Sequence, residues 1–494
     1  MTVTFQKLFV STAFVFIFFL NSCAPEKPPR EAELFNTYCT SCHLAPKIDE
    51  LPKDIWKDHV LPDMASRMEI EEMYQDPNDI KPGFRPKIKL KDWLDLQHYI
   101  VQLAPEKLEA IKFPESEPLE LFEPKEMALD SQNGALITYL EFKDNSSKLY
   151  YGDITGNLSS YNFENGSAEN LYQGRTPITW YNRKDSIEIF TEVGILDPSE
   201  LEQGKLMIKK DEDTTALQNI FYRPVHTLFE DLNSDGKKEL VVSEFGDETG
   251  RLSLLTQSNT NQYDKTILLN LPGCIRTLAK DMNHDGKTDL IAVTSQGNES
   301  ITILYQKEEL EFKAEKVLEF SPVYGSSWFE LIDYNGDGHD DIITVNGDNA
   351  DESYVHKPYH GMRIHLNNGD NTFNEAYFYP LYGATRVLAR DFDEDGDVDF
   401  GLISTFPDYD TSPELSFVYL ENVNAEDFVF ESKVLKNPNA GRWFLMDAAD
   451  IDKDGDEDIV LSAFNYVFTP VPDSLSKQWS EDNVDILVLE NKLR

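Results

Sequence analysis

Asp281-Met282-Asn283-His284-Asp285-Gly286-Lys287-Thr288-Asp289 is one copy of a nine-residue phrase that recurs five times along the chain. The other copies open at Asp231, Asp333, Asp391 and Asp450. Oxygen-bearing side chains fall at positions 1, 3, 5 and 9, and glycine stands at position 6. The sets are Asp231, Asn233, Asp235 and Glu239; Asp281, Asn283, Asp285 and Asp289; and Asp333, Asn335, Asp337 and Asp341. Asp391, Asp393, Asp395 and Asp399 form the fourth, and Asp450, Asp452, Asp454 and Asp458 the fifth. Alternating carboxylates and amides on a tight loop converge on one point, which is how hard Ca²⁺ is held. Without a cation their mutual repulsion would make such a loop costly. Up to five Ca²⁺ ions are therefore expected, pinning the loops rather than doing chemistry.

An EF-hand shares the first half of this pattern but needs a bidentate Glu at position 12 and a following helix. Position 12 is Val242, Ala292, Thr344, Leu402 or Leu461, and the runs after position 9, such as Leu240-Val241-Val242 and Ile459-Val460-Leu461, read as strands. A similar apolar run precedes each loop, as in Val225 to Phe229. Each unit is strand, calcium loop, strand. Successive loops open about 50 to 60 residues apart, the length of one four-stranded propeller blade. The pattern resembles the FG-GAP/VCBS repeats of integrin-like β-propellers. Residues 125–220 have room for two blades without the loop, carried by Tyr150 to Leu158 and Ile187 to Phe190. The expected fold is therefore multidomain: a small all-α unit, then an all-β propeller over 120–494. Seven blades are expected, with six or eight as alternatives.

Ahead of the repeats lies Cys39-Thr40-Ser41-Cys42-His43. Cys-x-x-Cys-His is the attachment spacing of a c-type haem: two thiols on one turn for the porphyrin vinyl groups, and an imidazole for the iron. A zinc half-site would need a second ligand pair, and the chain has no second Cys pair. A thioredoxin-like pair should follow a strand, whereas Leu34, Phe35 and Tyr38 put a helix before this motif. A second helix is expected over 92–103, with Trp93 or Leu94, Leu96, Tyr99, Ile100 and Leu103 apolar and Pro105 stopping it. Two short helices around one haem resemble a small cytochrome c domain, placed at 31–110. Trp56 to Met64 resembles the Trp-to-Met segment of such domains, which implies Met64 as the sixth ligand beside His43. Met68 is the main rival and Met73 a further candidate, with His59 and His98 as outsiders and a vacant or His-ligated site as the remaining alternative. A thioether ligand would raise the potential and close the iron, favouring electron transfer over oxygen chemistry.

The N-terminus bears on location. Lys7 and the apolar run from Phe9 to Leu20 read as a signal-peptide core, too short to span a bilayer comfortably. Leu20-Asn21-Ser22-Cys23 resembles a lipobox, which implies removal of residues 1–22 and lipidation of Cys23. Residues 23–30, with Pro25, Pro28 and Pro29, then form a tether. A cell-envelope lipoprotein is expected, periplasmic or on the outer membrane, and c-type haem attachment after export agrees with it. Cys274 is left without a partner and reads as a small buried hydrophobe.

The 494 residues carry a formal charge of −44, which excludes a nucleic-acid binder. With 40% hydrophobic and 12% aromatic residues the chain nevertheless folds. The leading expectation is an envelope-anchored protein with one haem c that passes electrons to a redox partner, the propeller docking that partner or holding a ligand. The second is a haem-linked oxidoreductase with its substrate site on the propeller, where the longer loops around His356 and His360 and around 408–416 mark a binding face. No quinone-cofactor signature and no flavin or nucleotide glycine motif supports a stand-alone enzyme. A calcium-dependent adhesion or scaffold protein is the third, and it leaves the pentapeptide unexplained.

Overall fold

The computed structural model describes residues 28–71, 87–129, 135–143, 147–211, 213–259, 262–348, 353–466 and 469–494. Seven antiparallel sheets follow one another from residue 137 onward and make a seven-bladed propeller. Blade 1 is built from Lys148–Asp153, Asn157–Asn162 and Ser167–Gln173 outside the inner strand Ile137–Phe142, and blade 2 starts at Ile178–Lys184. Blades 3 to 7 have inner strands Pro224–Glu230, Cys274–Lys280, Ser326–Ile332, Ala384–Arg390 and Trp443–Ala449. Their second strands, Glu239–Glu244, Asp289–Thr294, Asp341–Asn346, Asp399–Ser404 and Asp458–Ala463, are buried at every position. A strand sandwiched by neighbouring blades on both faces must be apolar throughout, which is why these runs show no alternation. The outer strands, such as Glu311–Glu319, turn charged residues to solvent.

Each nine-residue phrase connects the inner strand to the second strand in blades 3 to 7, as the strand–loop–strand reading requires. Blade 2 replaces it with a tight turn at Asp185, whose φ is +55°. Two loop-free blades plus five with loops gives seven, as expected. The partition near the start differs from the expectation: Phe122–Met127 does not open the first blade but pairs with Ile486–Asn491 as the outer strand of blade 7. Phe122 meets Phe392 and Tyr419 edge-on at 5.9 and 5.6 Å, so the closing strand is anchored in blade 6 as well. Ser116–Pro118 adds a parallel strand beside Val429–Val434. This closure has no local sequence signal, because it depends on strands more than 300 residues apart meeting.

Residues 30–104 form a small, mostly helical unit. Arg30–Tyr38 and Leu90–Leu103 pack together, and Arg30 pairs with Asp92 and Asp95. Between them lie a widened turn at Trp56–Val60, the helix Leu61–Arg67 and a parallel pair joining Ile70 to Ile88. The second helix faces inward through Trp93, Leu96 and Ile100. Leu94 and Leu103 point outward at 54% exposure each, so the apolar set is narrower than the sequence suggests.

This unit sits on the propeller face opposite the nine-residue loops. Val323, Tyr324, Val355 and Tyr359 join its apolar cluster. Tyr359 donates its hydroxyl to the Glu50 carbonyl at 2.8 Å, and Ser321 donates to the Glu50 carboxylate at 2.7 Å. Arg67 pairs with Glu248 at 3.7 Å. Among the described residues, no helix is long and apolar enough to cross a membrane.

Candidate functional site

The pentapeptide begins where the first helix ends: the Cys39 N–H closes on Phe35 O at 2.9 Å. Cys39 and Cys42 are both free thiols, Cys39 partly buried and Cys42 exposed. Burial pushes the Cys39 thiol up to about 12. A redox-active Cys pair needs a lowered thiol pKa, so this environment speaks against thioredoxin-type exchange. His43 Nδ1 lies 2.8 Å from Leu44 O, and a carbonyl can only accept, so Nδ1 carries the proton. That leaves the Nε2 lone pair for a metal, the usual way an outer hydrogen bond sets a ligating imidazole. The His43 ring reaches the propeller at Gly297, where a Cβ would stand 3.5 Å from it.

Met64 is partly buried and lies in the same apolar cluster as Cys39 and the buried Trp56. Met68 is 7% exposed and packs deeper in that cluster. His59 and His98 are exposed. Met73 and Cys23 lie outside the described residues. Cys39 and Met64 share this apolar cluster while Cys42 and His43 lie outside it, and by donor type the two thiols, the imidazole and the thioether are those a c-type haem would take.

The five loops share one backbone turn, and those of blades 3 to 5 also share one hydrogen-bond pattern. In the blade 4 loop, Asp281 accepts the N–H groups of Asp285 and Gly286 at 3.2 and 2.9 Å, and Asn283 accepts that of Asp285 at 3.0 Å. Position 4 is left-handed in every copy, at φ between +57° and +70° (Ser234, His284, Gly336, Glu394, Lys453), and the position-6 glycines lie at +84° to +102°. Four of those glycines have nothing within 4 Å of an added Cβ, so backbone conformation, not space, demands glycine. Asp391, Asp393 and Asp395 bring carboxylate oxygens within 4.8 Å of one another, as do Asp450, Asp452 and Asp454.

Position 9 faces inward and differs from the other three. Asp289 accepts the N–H of Met282 at 3.0 Å and that of Gln306 at 2.8 Å, and Asp341, Asp399 and Asp458 do the same in their blades. Burial pushes Asp399 up to about 7 and Asp458 to about 6. In Asp289, Asp341 and Asp458 each carboxylate oxygen keeps a second lone pair, so this anchoring leaves room for a cation, whereas Asp399 Oδ2 also accepts the Tyr419 hydroxyl at 2.6 Å. Cys274 is fully buried, its thiol 3.5 Å from Leu271 O.

One layer of the central channel was missed from sequence. Five residues ahead of each opening aspartate stand His226, Arg276, Trp328, Arg386 and Leu445. Each pairs with the fifth residue of its second strand, as Trp180 and Tyr139 do in blades 2 and 1. They stand at one register level near the mouth on the face that carries the helical unit. Tyr139, Trp180 and His226 touch in series, as do Arg276, Trp328 and Arg386, while Leu445 packs into the cluster between blades 7 and 1. Aligning the five repeats column by column exposes most of this layer, because the loop fixes the register.

The family model described as FG-GAP-like repeat matches residues 281–344, from the blade 4 loop into the second strand of blade 5. No curated protein matches the chain. Among solved structures, the WD40 domain of Neurospora crassa Pan2 is 12% identical over 76% of this chain and 98% of that one, with TM-score 0.44. The N-terminal domain of Nup159 is 11% identical over 76% and 97%, at 0.42. An auxiliary nutrient binding protein from Bacteroides thetaiotaomicron is 11% identical over 55% and 67%, at 0.35. The chain is a seven-bladed β-propeller with FG-GAP-like repeat sequence, an architecture consistent with a binding or scaffold module.

Proposed function

We propose that this protein is an envelope-anchored c-type haem protein that moves electrons, its propeller serving as a calcium-stiffened module that docks a redox partner or ligand. The observation that carries the reading is the pentapeptide: Cys39 and Cys42 free, and His43 with Nδ1 engaged and Nε2 available. Cys39 and Cys42 would hold the porphyrin, and His43 and Met64 the iron. A bound haem with those ligands supplies one-electron exchange at a raised potential. The chain's own residues hold the His43 tautomer through Leu44 O, keep water from the cluster through Trp56 and Trp93, and fix the unit to the propeller through Glu50. Acylation at Cys23 would place the assembly at the membrane surface of the envelope.

Calcium at the five loops is part of the proposal, with positions 1, 3 and 5 as principal ligands and position 9 closing the site from inside. The second reading is an oxidoreductase with its substrate on the propeller. It is favoured by one feature: the helical unit and the channel mouth share a face. Met64→Ala and Met68→Ala variants test the axial assignment. The reading expects the spectrum and potential of the purified protein to change for Met64→Ala alone, and a change confined to Met68→Ala reverses the assignment. Adding substrate-rich envelope extract separates the two functions: haem reduction by a small molecule alone supports the second.

A further inference from the structure

The channel mouth joins two guanidinium groups to one indole. Arg276 and Arg386 place their guanidinium carbons 4.0 and 4.5 Å from the Trp328 ring. Trp180 and His226 stand at the same level, with centroids 4.1 Å apart. Arg276 is matched by Glu330 at 2.8 Å and also donates to Phe329 O. Arg386 is not matched in this way. Its Nη1 donates to Thr385 O at 2.8 Å, and the carboxylate whose charge acts on it is Asp348. Burial, and then Arg276, lower its pKa to about 10. Two further polar atoms are closed off without a partner: His226 Nδ1, on a side chain only 4% exposed, and Arg276 Nε.

Stacking on aromatic rings accounts for the faces of the guanidinium groups but not for their edges. An arginine fork with free N–H groups matches an oxyanion two bonds at a time. Field strength matters here as well, since a chain of net charge −44 disfavours anions over most of its surface. We propose that the channel mouth binds a small oxyanion, a carboxylate or a phosphate, gripped by the free edge of Arg386. Glu330 already holds Arg276 and the Trp328 indole N–H, so Trp328 and Trp180 contribute only their ring faces as walls. The ligand would lie on the face that carries the helical unit, and the site stands independently of the haem reading.

The test titrates the full-length chain with inorganic phosphate and, separately, benzoate, at ionic strength held constant with chloride. Tryptophan fluorescence and the thermal midpoint are followed together. A saturable change in both readouts is expected, with affinity at least roughly tenfold weaker in Arg386→Gln and intermediate in Arg386→Lys, which keeps charge without the fork. Tighter binding of phosphate points to a phosphorylated ligand. Tighter binding of benzoate points to an organic acid whose apolar part lies on the indoles. The wild-type titration stands on its own should Arg386→Gln fail to fold. No saturable response to either anion up to about 10 mM, or a response that chloride reproduces, overturns the proposal.

Discussion

At the residue scale, the loops separate demands that sequence alone merges. Gly286 lies at φ +84° with open space around it, so Gly286→Ala should lower stability by about 1 kcal/mol through backbone strain alone. Gly286→Asn should recover part of that, because Asn tolerates the left-handed region better. Denaturant midpoints in the presence of calcium give the order, and an unchanged Ala variant would refute the conformational argument. Asp447 tests the channel interior. Burial, and then Glu141, push its carboxyl up to about 7, while Phe142 and Ala448 donate backbone N–H groups to it. A carboxyl whose pKa is higher folded than unfolded binds its proton more tightly in the fold. Its contribution therefore favours folding at low pH and is lost as pH rises from about 4 to about 7. Asp447→Asn should flatten the fall in thermal midpoint across that window and melt higher than wild type at pH 8. A variant that melts lower at every pH would contradict this.

Among elements, the strand–loop–strand unit was legible because its chemistry is local: acids at fixed spacing, then an apolar run. Blades 3 to 7 appear where that pattern put them. Position 9 was harder to read, since a carboxylate that anchors a loop from inside and one that faces a cation look alike in sequence. The two helices expected around the pentapeptide were legible to within a turn, but Leu61–Arg67 and Asp473–Asp482 were not read. Nor were Leu94 and Leu103, because exposure on a short amphipathic helix depends on what packs beside it. Calcium removal belongs to this scale. A chelator should lower the propeller's thermal midpoint and speed its proteolysis, and neutralising Asp391, Asp393 and Asp395 together with Asn should remove one ion from the measured stoichiometry. Unchanged melting and cleavage under chelation would end the calcium reading.

For the whole molecule, two long-range features hold the assembly together, and neither was visible in the sequence. One is the closing strand Phe122–Met127, paired with Ile486–Asn491. Phe122 is 2% exposed, and Phe122→Ala should cost about 3 to 5 kcal/mol and open the ring between blades 7 and 1. Wild-type stability in that variant would show that closure does not depend on this anchor. The other is the seat of the helical unit on blades 3 to 5, which turns His43 toward Gly297 and sets the pentapeptide on the channel-mouth face. That seat joins the Cys-x-x-Cys-His motif to the propeller in one molecule, and the central claim is the proposal that this motif carries haem. The most direct test is the visible spectrum and intact mass of the protein purified from a host that matures c-type cytochromes. The account predicts a c-type haem band and a mass increase of one haem that survives denaturation and disappears when Cys39 and Cys42 are both changed to Ala. A protein of unmodified mass with no haem band, from a host that loads a control cytochrome, would contradict it.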